Sequence, residues 1–208
     1  MKLLIVAKTH MSQAFCVGAY DMDNHKNIRL LTSEGKNQPL NTFFEIGQIW
    51  NINYSQRDNI VKPHTEDVLI KNCDFIENIK NITDYLTKHV PIWRDEPSNI
   101  FDGKISFPIG RAGFIEQKHS NLSQSVGFWI SDKNLELTVL DDKKHYLYFG
   151  DQIYSFPFVG AIKKVETIPS GTLLRVSLTR WWSPNPNQFQ KRCYCQLSGW
   201  FDLLSRPG

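Results

Sequence analysis

Between Ile168 and Phe201 two runs of alternating residues carry Arg175 and Trp181 on the first and Arg192, Tyr194, Gln196 and Trp200 on the second. Flat rings stack on nucleobases and guanidinium groups hold phosphate oxygens, a combination that recurs where sheets bind single strands. An ordinary solvated strand face carries Thr, Lys, Glu and Ser, so two Trp and one Tyr interleaved with two Arg need an explanation beyond β-propensity. The expected surface is Arg175, Trp181, Arg192, Tyr194, Gln196 and Trp200, with Lys163, Lys164, Arg180 and Lys191 at its margins. The same residue types have other uses. Trp and Tyr pair well across strands with Arg over them, so the set also suits a packing layer under a loop or a second domain. Aromatics and Arg also build protein interfaces, and an aromatic pocket suits a single nucleotide, so a protein partner and a nucleotide stand as alternative ligands.

Catalytic chemistry has one candidate set, Asp102 followed by Glu116-Gln117-Lys118. In metal-dependent nucleases two carboxylates so spaced hold a divalent cation while the Lys polarises the attacking water or the scissile phosphate. Against it, the flanking helix is missing and Asp102-Gly103 reads first as a turn. No catalytic residue, cofactor or metal is therefore assigned, and an enzyme is the less favoured reading. Cys193 and Cys195 lack a second ligand pair at zinc spacing, and the six His at positions 10, 25, 64, 89, 119 and 145 are scattered singly. His64 is the least ordinary, because Glu66 and Asp67 offer carboxylates that could orient its ring. Glycine-rich phosphate cradles and the G-x-S-x-G elbow are missing.

The elements that must position these residues are strands. The first segment, KLLIVAKTHM, reads as a buried strand; Phe15 to Tyr20 and Ile28 to Thr32 form a hairpin, Phe43 to Tyr54 a further strand with Gly47 as a bulge or close-approach point, and Val68 to Phe75 a closing one. Glu77 to Val90 switches to helical spacing and stops at Pro91. Strands resume at Ile105 to Phe107, Gly113 to Glu116, Val126 to Ile130, Leu135 to Leu140, Tyr146 to Phe149 and Phe158 to Val165, and the aromatic hairpin closes the chain. The fold expected is mostly β: two consecutive small antiparallel OB-like barrels, residues 1–76 and 98–208, joined by one short helix and linker at 77–97. In the hairpin, Leu174, Val176, Leu178, Cys193, Cys195, Leu197 and Phe201 should face the second core. Alternation sends Arg180 and Trp182 to that apolar side as well, so a bulge, or burial of Trp182 with Arg180 escaping at the rim, must accommodate them.

Charge is distributed in the same sense. The whole chain carries only +3, too little for indiscriminate coating of nucleic acid, yet residues 161–208 hold seven basic side chains against two acidic ones. The four cysteines are expected to be reduced and mostly buried, since Cys193 and Cys195 lie too far along one strand for an unstrained mutual disulfide. The amino-terminal apolar run, Leu3 to Ala7, is too short for a signal peptide or membrane span, which leads to the expectation of a soluble cytoplasmic protein with no membrane partner.

Lys8-Thr9 ending the first strand, the box Pro63-His64-Thr65-Glu66-Asp67, the central Val126-Gly127-Phe128-Trp129, and the two terminal strings from Arg175 to Trp182 and from Arg192 to Trp200 together resemble the dual OB-containing domain family of prokaryotes. The resemblance implies two OB folds in one chain, nucleic-acid binding, and an association with conflict or defence loci, with a protein partner from such an operon. It supplies no catalytic residues.

Overall fold

The computed structural model describes residues 1–117, 121–185 and 187–201. Five strands close the first half: β1 (Lys2–Met11), β2 (Ala14–Asp21), β3 (Lys26–Leu31), β4 (Gln48–Gln56) and β5 (Asp67–Asn78). Their order around the barrel is β1-β2-β3-β5-β4, with β4 returning to β1, and only the β3–β5 pair is parallel. This is the small closed barrel that the strand count and spacing suggest.

The apolar run of β1 explains how the two halves meet. Seven consecutive residues, Leu3 to Thr9, are buried, which requires cover on both faces of the strand. Leu3 and Ile5 enter the barrel core with Val17, Ile28, Trp50 and Val68. Leu4 and Val6 point the other way, into a seam formed with Tyr20, Leu86, Phe128, Leu173 and Phe201. Side chains of this size each contribute about 1.5–3 kcal/mol when fully buried, so the seam is an apolar core in its own right.

Helix α1 (Ile82–His89) plugs that seam with Leu86, and Val90 follows just after it. Asn81 caps its amino terminus by accepting from the Asp84 amide, and Pro91 stands just beyond its end. The helix is shorter than the periodicity suggests because β5 keeps pairing with β4 as far as Asn78. Gly47 meets the expectation of close approach: at φ +91° its amide donates to the Ile5 carbonyl while its own carbonyl accepts from Ile79.

The second half is a half-barrel of two sheets around one core. β6 (Ile92–Asp95), β7 (Phe114–Glu116), β8 (Val126–Ser131), β13 (Leu173–Leu178) and β14 (Arg192–Phe201) form one sheet in the order β6-β8-β13-β14-β7. β9 (Leu135–Leu140), β10 (Lys143–Phe149), β11 (Ile153–Pro157) and β12 (Thr167–Ile168) form the other, in the order β11-β10-β9-β12. Trp129, Tyr146, Phe156, Leu174, Val176 and Leu197 fill the space between them. The fold is therefore mostly β with two OB-like units and one short helix.

Four local readings change. Residues 92–95 fall in the expected linker, yet pair parallel with β8 as an edge strand. Ile105 to Phe107 makes only a bridge from Ser106 to Phe114. Phe158 to Val165 is no strand of its own; its first residues stitch the halves, with Ala161 donating to the Lys8 carbonyl and His10 to that of Val159. The fourth lies in β14. Arg175 pairs with Gly199 but Val176 pairs with Leu197, so Ser198 is a bulge residue that reverses the alternation beyond it. Phe201, expected beside Cys193, Cys195 and Leu197, consequently joins the seam, whereas Trp200 turns onto the second core against Tyr146 and Phe158. Among the described residues no helix is long and apolar enough to cross a membrane.

Candidate functional site

The hairpin presents its ligand-competent side chains at the end remote from the bulge. There Trp182 and Arg192 exchange two backbone hydrogen bonds, of 3.0 and 2.8 Å, and Thr179 donates to the Tyr194 carbonyl at 2.9 Å. Ser183 Oγ donates to the Phe189 carbonyl at 2.9 Å, which ties these two residues together. On this frame Trp182 is 54% and Phe189 55% exposed. The half-buried Tyr194 ring lies 6.2 Å from Trp182 and 6.0 Å from Phe114, and the Arg192 guanidinium stacks 3.8 Å above the Phe114 ring. Arg192 also faces Glu116 at 3.4 Å, and Lys191 is exposed beside it. Two large rings left in water beside a pre-stacked guanidinium form a surface able to take a base on its π-face and a phosphate at its edge.

Arg180, one residue before Trp181, reaches the first barrel. Its Nη2 donates to Asp67 Oδ2 at 2.5 Å. Asp67 is 3% exposed and serves two further guanidiniums: Arg29 Nη2 stands 2.6 Å from Oδ1 and 2.7 Å from Oδ2, and Arg57 Nη1 3.1 Å from Oδ2. Arg29 is placed by register, because it and Asp67 are partners in the parallel β3–β5 ladder. One buried carboxylate thus gathers three cations from both halves of the chain.

The remainder of the Pro63–Asp67 box is a latch. Thr65 Oγ1 donates to the Ser123 carbonyl, and Glu66 accepts from both the amide and the hydroxyl of Ser125. Burial pushes the Glu66 carboxyl up, against the pull of those bonds. His64, 3% exposed, lies with Nε2 3.8 Å from Cys193 Sγ. Burial, with Arg29 nearby, pushes the imidazole down to about 4, so it is neutral at physiological pH. The ring is oriented by a hydrogen bond to the Thr179 backbone and by its contact with Cys193, and not by a bond to either neighbouring carboxylate. Desolvation likewise pushes the Cys193 thiol up to about 12, and Cys195 is buried and raised too, so neither is a nucleophile in waiting. All four cysteines are free, two buried and two half-buried.

The ten residues expected to share one surface are distributed over several environments. Arg192, Tyr194 and Lys191 sit together at the exposed end, and Gln196, two residues from Tyr194, is half-buried. Trp181 lies inside that end: it packs on the second core and its Nε1 donates to the Lys62 carbonyl at 2.7 Å, joining the halves. Arg175, expected outside, is 4% exposed, because the first barrel covers the outer face of β13. Its guanidinium lies over Gly18, where an added Cβ would stand 2.6 Å from Nη2, and Nη1 donates to Ser198 Oγ at 3.0 Å. Trp200 is six residues along β14 from Tyr194, about 20 Å away. Lys163 and Lys164 are exposed near it, with Lys164 over the Phe158 ring.

Trp182, expected to be buried or displaced by a bulge, instead stands more than half exposed beyond the end of β13. Sequence reading missed Phe114, Arg29 and Arg57, which arrive by pairing across long stretches of chain. Of the nuclease candidates, Asp102 accepts from Trp93 Nε1 at 3.0 Å and Glu116 faces Arg192, while Lys118 lies outside the described residues. Among the described residues no three His, Cys, Asp or Glu converge on a metal-sized site.

Comparison with family models gives a match to the dual OB-containing domain over residues 1–200. Among solved structures the chain is similar to a murine DNA-binding protein bound with double-stranded DNA, at 12% identity over 95% of this chain and 91% of that one, with a TM-score of 0.31. Curated proteins give no significant sequence match.

Proposed function

The chain belongs to the dual OB-containing domain family, and from that premise we propose that it binds single-stranded or locally unpaired nucleic acid at the outer end of its last hairpin. The observation that carries this reading is the exposure of Trp182 and Phe189, both more than half in water, on a backbone fastened by reciprocal hydrogen bonds and flanked by Arg192, Tyr194 and Lys191. A large ring costs apolar exposure and is otherwise turned inward. A base stacking on such a ring contributes about 1–3 kcal/mol whatever its identity, which suits a sequence-tolerant binder. Arg175 is a structural residue in this reading, and Trp181 a buttress. The remaining basic residues guide the backbone.

Fluorescence anisotropy of labelled single-stranded DNA and RNA across a salt series tests it. The expected result is a linear fall of log K with log salt, about 0.7 per neutralised phosphate, and a loss of about 5- to 150-fold on Trp182→Ala or Tyr194→Ala. Binding indifferent to salt, or to both substitutions, overturns the reading. Co-purification with and without nuclease treatment separates a nucleic-acid ligand from a protein docked on the same rings.

A further inference from the structure

Asp67 is one carboxylate among three guanidiniums, so the group itself carries an excess of positive charge. Glu66, next in the chain, turns its oxygens onto Ser125. His64 is neutral and adds nothing. Arg29 is mostly buried and its Nε is a buried donor without a partner. Arg57 and Arg180 are different: their side chains are 43% and 44% exposed, and each spends one terminal nitrogen on Asp67. A guanidinium has five N–H donors, so both keep outward-facing hydrogen-bonding capacity at a fixed spacing. The backbones are tied as well, Arg57 donating to the Asp67 carbonyl at 3.3 Å and Arg29 to that of Glu66 at 2.7 Å. Planar donors held in place beside a shared counter-ion are suited to a tetrahedral oxyanion.

Position adds a second argument. Arg57 leaves the end of β4 in the first barrel, and Arg180 leaves the end of β13 in the second half, two residues before the exposed Trp182. Arg180 and Trp182 are two residues apart, so their Cα atoms are at most about 7 Å from each other and the guanidinium and the exposed ring belong to one short segment. Arg57 also lines a hollow of about 310 Å³ with Glu34 and Asp58, and Glu34 is paired with Lys36.

We propose that Arg57 and Arg180, braced on Asp67, form a phosphate-binding site that bridges the two halves of the chain and receives a phosphate group of the strand whose bases stack on Trp182. The inference rests on the nucleic-acid reading for the identity of the phosphate, and strand interior and strand end are its two sources.

The test uses the whole chain with Arg57→Gln and Arg180→Gln, singly and together; each single variant leaves two guanidiniums on Asp67, so folding is retained and is checked by thermal melting. Titration with inorganic phosphate against chloride at matched ionic strength should raise the melting temperature of the parent protein and not of the double variant. In anisotropy, each single substitution should lower the salt slope by about 0.7 and the double by about twice that, whereas Trp182→Ala weakens binding with the slope intact. A 5′-phosphorylated oligonucleotide that outbinds its 5′-hydroxyl counterpart, with the preference lost in the double variant, assigns the strand end; equal binding assigns an internal phosphodiester. Oligonucleotide binding with an unchanged slope in the double variant overturns the site while leaving the function standing. Stabilisation by phosphate with no oligonucleotide binding overturns the function and leaves the anion site. Neither response overturns both.

Discussion

Arg29 and Asp67 are register partners in the one parallel strand pair of the first barrel, and their side chains close a two-point ion pair at 2.6 and 2.7 Å. Arg57 and Arg180 then share the Asp67 carboxylate, which makes this residue the electrostatic centre of the chain.

Removing that centre should cost more than removing any one of its partners. Asp67→Asn leaves three guanidiniums facing each other in a partly dry site, and the expected loss is about 3–5 kcal/mol in urea denaturation. Arg180→Gln deletes an ion pair whose cation is nearly half in water and should cost no more than about 1 kcal/mol. Equal losses for the two would contradict the arrangement.

Gly18 and Arg175 are coupled sterically. A Cβ at position 18 would stand 2.6 Å from Nη2 and 3.1 Å from Cζ of the buried guanidinium, so Gly18→Ala should destabilise by about 1–3 kcal/mol. Replacing Arg175 by Met frees that space and removes a buried charge whose Nε has no partner. A double-mutant cycle should therefore return a coupling of about 1 kcal/mol or more, with the double variant less damaged than the sum of the singles.

His64 makes stability depend on pH. Its folded value of about 4 lies below the unfolded 6.5, so between these values the unfolded chain binds the extra proton. Stability is fully present above pH 6.5 and declines as pH falls toward 4, by about 3 kcal/mol in all at 1.36 kcal/mol per unit. The raised Glu66 carboxyl acts in the opposite sense above about 4.5, so the quantity to measure is the difference between the parent and His64→Gln across pH 4 to 7. That difference should show the decline; a flat difference would mean that His64 takes up its proton alike in the folded and unfolded chain.

Two neighbouring tryptophans should separate stability from binding. Trp181→Phe removes the Nε1 bond to the Lys62 carbonyl and should cost about 0.5–1.5 kcal/mol of stability with little change in oligonucleotide affinity. Trp182→Ala should do the reverse, since its ring is already in water.

Strand content, the helix and the dual OB-like plan were legible because period-two alternation, the helical spacing after Glu77 and the stop at Pro91 are local. Residues 173–178 and 193–197 alternate as expected, and Leu174, Val176, Cys193, Cys195 and Leu197 all reach the second core. Alternation fails where one residue is added: Ser198 carries no composition that marks a bulge, yet it decides the faces of Trp200 and Phe201. Arg175 shows the other limit. A polar residue in phase with the outer face is read as solvent-exposed, but here that face belongs to the seam with the first barrel. The arginines around Asp67 come from positions 29, 57 and 180, and only the tertiary pairing brings them together.

The double burial of β1 bears on how this chain can be divided. A fragment ending after β5 would keep a closed hydrogen-bonded ring, yet it would carry Leu4, Val6, Tyr20 and Ile49 as a continuous greasy stripe on its outside. Such a fragment should self-associate or precipitate when expressed alone, and adding α1 would shield only part of it. The two halves are separable on a topology diagram but share one solubility.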